Sequence, residues 1–494
     1  MTDRVLSRTS NRTFVAWVVA VMLAIRLSYL VGPLASDEAG YLLVARNWHL
    51  GGPNLYGHYF VDRPPLLIFV FKIASLLSWD DVIRVLALPF AVLIVLAAAW
   101  AVDGVVGGRG ARWAAVVAAV LVTNPLLGAP EADGELFAAP LVMLSVALVL
   151  VGVRRSSVAM AFAAGVSAGG ALMLKQNFYD GFVFGAVLLA VSLVQGRLAR
   201  RTAVRLAVAG AAGGGVVLLG LIGYIVWARV GVFSAYFQLF GMRGSALDVI
   251  TDHDLHATGM RGLELLILAV VSGALPLLAV LVRNAWRTGL VGTPIAWAIS
   301  FTTVLGLVSM LAGGSYWPHY LIQLAPMLAL AVGLWASHDG ALRVVTVYAV
   351  LASLVATVSY GVDNLNASPP VGERIGLWLA ASGQGGDTAS VLYGHAEIQL
   401  SSGMPSPSEH LWSLPLRTTD PHETKLRALL AGPRAPTWLV DWSGVNSWDI
   451  DPHDATTLTI ATHYRLVAHV CGVPVWLHDG VRRSLAPRRA CAGS

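Results

Sequence analysis

The sequence predicts a polytopic α-helical membrane protein with a small α/β domain at its C-terminal end, and three observations lead there. Of 494 residues, 56% are hydrophobic and only 12% are charged, and the mean hydropathy is +0.69, outside the range of soluble globular chains. Apolar runs near the length of about 20 residues needed to cross a bilayer recur along residues 1–360 and then stop. The arginine-rich connections between those runs fall on alternate turns of the chain, as they must if all lie on one side of the membrane.

The first run, 13–33, follows Arg4, Arg8 and Arg12, so the N-terminus reads as cytoplasmic. The embedded Arg26 and the lack of a small-residue cleavage site argue against a removed signal peptide. The next piece, "PPLLIFVFKIASLLSW" at 64–79, opens on two prolines suited to a first helical turn and contains Lys72. It reads as interfacial, because only then does the following span, 82–102, deliver Arg109 and Arg112 to the cytoplasmic side. Spans at 113–129, 136–153, 157–174, 181–195, 206–232, 263–282, 289–312, 320–337 and 341–360 bring the total to about eleven, with the C-terminus outside. Arg154, Arg155, Arg197, Arg200, Arg201, Arg205, Arg283, Arg287 and Arg343 then all face inward. No internal repeat of the transporter kind is visible.

After "DNLNASPPVGERIG" the composition becomes globular, dividing the chain into 1–360 and 361–494. The runs "SVLYGH", "TWLVDW" and "YRLVAHVCGVPVWLHDG" read as strands and "PHETKLRALLAG" as a helix. The two cysteines, Cys471 and Cys491, could pair in an extracytoplasmic setting or stay as two thiols. The net charge of +5 rests on arginines at membrane boundaries, which excludes a nucleic-acid surface. Arginine in place of lysine, with abundant Ala, Val and Gly, suggests a GC-rich bacterial genome and hence a bacterial plasma membrane.

The predicted topology gathers ionisable residues on the outer face. Asp37 and Glu38 follow the first span, and "APEADGELF" supplies Glu131, Asp133 and Glu135. "LKQNFYDG" adds Lys175 and Asp180, and the stretch 233–262 adds Arg243, Asp252, His253, Asp254, His256 and Arg261. "GGSYWPHY" adds Tyr316, Trp317, His319 and Tyr320. Charges at membrane depth are costly and point to function. Bland readings stand beside this one: Asp37 as cap of an amphipathic interfacial helix "AGYLLVARNWHL", Asp133 and Glu135 as helix N-terminal charges, the loop histidines as solvated residues. Acids together with cations on one membrane surface suit chemistry on a phosphate-bearing lipid. A carboxylate such as Asp37 can take the proton of an attacking hydroxyl, while Arg63 and Lys175 neutralise a leaving phosphate. The loop carboxylates and histidines could also bind a divalent metal ion, although no ligand spacing marks one.

Asp37-Glu38 with Tyr41 and Ala45, followed by Arg63-Pro64-Pro65-Leu66, resembles the first outer loop of GT-C glycosyltransferases of the protein O-mannosyltransferase and aminoarabinose transferase type. The short acidic loop and "PHYLIQLAPMLAL", Pro318 to Leu330, extend the resemblance over most of residues 14–335. It implies a GT-C fold and an inverting membrane enzyme that moves a sugar from a polyprenyl-phosphate donor to a cell-envelope glycan, glycolipid or protein. By position it implies Asp37 and Glu38, with Glu135 or Asp133, as catalytic acids. Arg63, in place of the family's frequent lysine, would bind the donor phosphate with Lys175, His319 and Tyr320. In an actinobacterial host, polyprenyl-phosphate mannose or arabinofuranose would be natural donors. The alternatives are a lipid or glycan transporter and a non-catalytic glycan-binding partner.

Overall fold

The computed structural model describes residues 2–253, 255–288 and 292–487. The first half comprises α1 (Thr2–Leu27), the short α2 (Ser36–Arg46) and α3 (Pro65–Ala74), then α4 (Val82–Val106), α5 (Gly108–Leu121), α6 (Gly134–Arg155), α7 (Val158–Leu174), α8 (Asp180–Val194) and α9 (Arg200–Trp227). Contacts at the helix ends fix their alternating directions. Arg112 Nε donates to Asn11 Oδ1 at 2.7 Å and Arg154 to the Gly104 carbonyl, so the start of α5 meets α1, and the end of α6 meets that of α4. At the far ends, Arg26 donates to the carbonyls of Val122 and Ala129 at 2.7 and 3.0 Å, and Arg84 to that of Pro33 at 2.9 Å. Buried guanidinium groups thus satisfy the backbone where helices stop, which water cannot do at that depth.

The second half holds α10 (Val232–Tyr236), a π-turn over Phe237–Gly241, α11 (Met242–His253), α12 (Leu255–Val271), α13 (Ala274–Thr288), α14 (Pro294–Ala312), a 3₁₀ stretch over Pro318–Leu324, α15 (Ala325–Trp335) and α16 (Gly340–Asn366). Three expectations change here. The stretch 233–262, read as a loop, is mostly helical. The span expected at 263–282 is instead α12 and α13 bent by 71°, with Gly273 at the break in the left-handed region (φ +85°) that favours glycine. And α2, read as an amphipathic interfacial helix, is buried from Glu38 through Ala45 and presents no polar face there, because α3 packs on one side of it and the C-terminal unit covers another.

Among the described residues, seven helices are long and apolar enough to cross a membrane, or eight if α12 and α13 form one bent crossing. This is a multi-pass membrane protein. α5, α7 and α8, also expected to cross, have only 14, 17 and 15 residues, and a total of eleven is reached only when they and the bent pair are counted.

Helix α16 runs six residues past the predicted limit, to Asn366, and ends before Pro369 and Pro370. Beyond it lie α17 (Val371–Ser382), β1 (Ala389–Val391), α18 (Ala396–Ser402), α19 (Ser413–Thr419), α20 (Thr424–Leu430), β2 (Trp438–Val440), α21 (Ala455–His463), β3 (Tyr464–Val470) and β4 (Val473–His478). The sheet order is β1-β2-β4-β3, with β1 and β2 parallel and the other pairs antiparallel. Alternation along β2 sends Trp438 and Val440 into a core with Ile375, Leu379 and Val475, and Leu439 into a second core with Leu430, Ile460 and Tyr464. No described cysteine is free; Cys491 and Asp254 lie outside the described residues. The unit is locked to the segment between α2 and α3. Phe60 N donates to Glu409 O at 2.9 Å, Ser406 N donates to Tyr59 Oη at 3.0 Å, and α18 rests on α2.

Candidate active site

The two adjacent acids at the start of α2 have different surroundings. Glu38 is completely buried. Its Oε1 accepts from Arg84 Nε at 3.0 Å and from Ala132 N at 2.8 Å; its Oε2 accepts from Arg84 Nη2 at 2.8 Å and from Ala35 N at 3.0 Å. The capping is thus done by Glu38, three residues into the helix turn. Asp37, one residue earlier, points instead into a cavity of about 590 Å³ between the helical part and the C-terminal unit. Its Oδ2 accepts from Tyr41 Oη at 3.0 Å and its Oδ1 from Trp412 Nε1 at 2.8 Å. Burial and then the nearby Asp133 push the Asp37 carboxyl above its ordinary pKa, against the opposing pull of Arg63 and His319.

The same cavity wall carries Asp62, Arg63 and Arg243. Asp62 Oδ1 lies 2.5 Å from Arg63 Nη1 and its Oδ2 lies 2.8 Å from Arg243 Nε. Burial alone would raise the Asp62 carboxyl, but the two guanidinium groups hold it below its usual value. Two cations on one carboxylate leave one positive charge in surplus beside the cavity. Tyr41 joins this group to Asp37, since its hydroxyl bonds the acid and the Arg63 guanidinium lies 5.6 Å from its ring centre.

Lys175, at the end of α7, sits behind this wall in an ion pair with Glu135, its Nζ 4.6 Å from the centre of the Tyr320 ring. His319 lines the cavity, with Nδ1 2.8 Å from Asp133 Oδ2 and Nε2 3.8 Å from Glu135 Oε1. Donor atoms of Glu131, Asp133 and His319 fall within 4.8 Å of one another. Asp133 Oδ1 and Glu135 Oε2 are buried with no hydrogen-bond partner among the described residues. The unpartnered Asp133 Oδ1, with the Glu131 carboxyl and an imidazole close by, fits a divalent cation in both charge and donor type. Burial and the neighbouring Asp133 push Glu131 up to about 9. For Asp133 burial is outweighed by His319 and Lys175, which bring it to about 2.

A second, apolar groove of about 640 Å³ is lined in part by the residues that follow Arg63-Pro64 in the chain. Arg63 lines the charged cavity, whereas Pro65, Leu66 and Phe69 line the groove with Trp48, Leu221 and Tyr224. Tyr56 Oη donates to Arg63 O at 2.6 Å and Tyr224 Oη to Leu55 O at 2.7 Å, so aromatic hydroxyls fix the backbone at Leu55 and Arg63.

The structure therefore brings Asp37, Arg63, His319 and Tyr320 to one cavity. It places Asp133, Glu135 and Lys175 one residue behind the wall, and Glu38 in a buried brace. Asp62, Arg243 and Trp412 join them without having been assigned a role from the sequence. Asp62 lay in plain view in "VDRPPLL" and Arg243 in the outer stretch, but their pairing spans far too much chain to be read from spacing. Of the outer stretch, Arg261 also reaches the cavity, lying 5.5 Å from the centre of the Trp317 ring.

No protein-family model matches this chain, and no curated protein matches it. Solved structures do. ArnT from Cupriavidus metallidurans bound to undecaprenyl phosphate superposes with a TM-score of 0.65 at 17% identity, over 94% of this chain and 98% of that one. The Archaeoglobus fulgidus oligosaccharyltransferase complex with zinc and sulfate gives 0.55 at 12% identity, over 86% of this chain and 67% of that one. The archaeal oligosaccharyltransferase AglB, from the same organism, in complex with an inhibitory peptide and a dolichol-phosphate gives 0.52 at 12% identity, over 86% and 69%. The chain shares its fold with these solved structures.

Proposed function

We propose that this protein is a glycosyltransferase that moves a sugar from a polyprenyl-phosphate donor to an envelope acceptor on the outer face of a bacterial plasma membrane. The observation that carries the reading is the segment Arg63-Pro64-Pro65-Leu66, which gives Arg63 to a cavity that also holds Asp37 and Arg243 and, two residues on, gives Pro65 and Leu66 to a separate apolar groove. A polyprenyl phosphate has that same division, a phosphate head on an apolar tail. The solved relatives of this fold that bind undecaprenyl phosphate and dolichol-phosphate support the choice of lipid. Eleven crossings, with the N-terminus inside and the C-terminal unit outside, complete the proposed arrangement.

In this reading the donor phosphate lies against Arg63 and Arg243, whose joint charge Asp62 only half neutralises. The acceptor hydroxyl gives its proton to Asp37 and attacks the anomeric carbon from the face opposite the phosphate. The bond from that carbon to the phosphate oxygen breaks, the configuration inverts, and polyprenyl phosphate leaves with its added negative charge held by the two guanidinium groups. Tyr41 keeps base and phosphate site in register. Glu38 braces α2, and the Lys175 and Glu135 pair supports His319 from behind, with Tyr320 packed against Lys175. A divalent ion held by Glu131, Asp133 and His319 would supply further positive charge for the phosphate.

The test is transfer of radiolabelled sugar from a panel of polyprenyl-phosphate sugars to an envelope extract, with the purified protein and its Asp37→Asn form. Label should move only with the intact protein. Absence of transfer from every donor, with or without Mg²⁺, Mn²⁺ or Zn²⁺, would refute the reading.

A further inference from the structure

The only polar contact that Asp37 receives from the C-terminal unit comes, among the described residues, from Trp412. Trp412 ends an extended stretch just before α19, where an isolated backbone bridge pairs it with Gly394. Its ring reaches down onto α2. A Cβ built on Gly40 would lie 2.1 Å from Trp412 Cζ2, 2.6 Å from Cη2 and 2.9 Å from Cε2. Gly40 therefore forms the slot that lets the indole approach closely enough for Nε1 to meet Oδ1 at 2.8 Å. The Tyr41 ring, 5.5 Å away centre to centre, forms the slot's other side.

We infer that Trp412 is a positioning residue through which the docked C-terminal unit sets the Asp37 carboxylate for catalysis. The inference rests on the functional reading above, in which Asp37 is the base. An indole N–H donates but does not accept, so it holds one carboxylate oxygen without competing for the acceptor's proton. With Tyr41 on the other oxygen, rotation about the Cβ–Cγ bond is blocked from both sides. The remaining lone pairs face the cavity, where the acceptor hydroxyl has to arrive. Domain docking and assembly of the base are then one event.

The experiment compares Trp412→Phe, Gly40→Ala and the double variant with the intact full-length protein in the sugar-transfer assay, at saturating and at limiting donor. Trp412→Phe keeps an aromatic ring and loses the N–H, so kcat should fall by about tenfold to a hundredfold with KM for the donor unchanged. Gly40→Ala should do the same by pushing the indole out of its slot. The double variant should be no worse than either single one, because phenylalanine lacks the outer ring atoms that the new methyl would strike. Equal turnover by Trp412→Phe and the intact protein overturns the inference and leaves the functional reading standing. A loss carried by donor KM, or by additive effects of the two substitutions, shows a merely structural role and overturns it as well. An intact protein that transfers nothing removes the functional reading and this inference together.

Discussion

Replacing Asp37 by asparagine separates catalysis from stability in a way few substitutions here can. Asparagine keeps a carbonyl oxygen for the Trp412 N–H and offers an amide N–H to the Tyr41 oxygen, so both contacts, at 2.8 and 3.0 Å, survive in altered form. The base is lost. General-base catalysis contributes about 10² to 10⁴ in rate, equivalent to about 3 to 5 kcal/mol of barrier, and transfer should fall by that factor while donor KM changes little. Stability should move the other way. Burial and Asp133 raise the Asp37 pKa in the folded protein, so relative to the unfolded chain the native state favours the protonated acid. Native stabilisation of that acid is full below the unfolded pKa and is lost as pH rises through the folded one; at neutral pH the ionised group is a burden. The neutral amide carries no such burden, so the variant should melt higher than the parent near pH 7, and the gap should close on acidification. Each unit by which the pKa is raised corresponds to about 1.4 kcal/mol. The parent's rate should also fall on the acid side, with a midpoint above the ordinary carboxylate value of about 3.9. A variant that keeps more than a third of the parent's turnover, or that melts lower at pH 7 and equally at pH 5, would refute the reasoning.

Arg63→Gln and Arg243→Gln should each weaken donor binding by about tenfold to a hundredfold, the worth of one charge-assisted hydrogen bond, read as donor KM or as displacement of a fluorescent polyprenyl phosphate. Arg84→Met should destabilise the protein by about 3 to 5 kcal/mol, because Glu38 would be left buried without its cation; thermal unfolding in detergent checks it. The paired replacement Glu38→Gln with Arg84→Met should recover part of that loss. Equilibrium dialysis with Zn²⁺ or Mn²⁺ should find one ion bound by the intact protein and much weaker binding after His319→Ala or Asp133→Asn, since each removes one of three donors.

What the sequence made legible was set by how local each signal is. The long apolar helices and the strands of the C-terminal unit could be read because periodicity and run length are properties of neighbouring residues. Asp37 and Arg63 could be singled out because they stand beside Glu38 and Pro64-Pro65 in short stretches of unusual composition. The division of labour within the acidic pair was invisible, since it depends on Arg84 arriving from α4 and Ala132 from the loop before α6. Lys175 reads as a phosphate-neutralising cation, and its pairing with Glu135 could not be seen because that partner is remote in sequence. The bend between α12 and α13 was hidden inside an apolar run whose only mark is Ser272-Gly273, and hydropathy does not register a change of direction. Trp412 gave no signal, because a tryptophan in a globular stretch reads as core.

The Glu38 carboxylate has a consequence for how the two acidic stretches of the site are held together. Its chain neighbour is Asp37, and the backbone amide it holds at 2.8 Å belongs to Ala132, the residue between Glu131 and Asp133. The proposed base and two of the three candidate cation ligands, Glu131 and Asp133, therefore flank this contact, each next in the chain to one of the two bonded residues. Arg84 of α4 holds the same carboxylate, and Asp133 is the N-cap residue of α6, so this one contact gathers α2, α4 and the start of α6. The carboxylate beside the proposed base thus also holds the loop that carries two candidate cation ligands, and one side chain joins the two parts of the site.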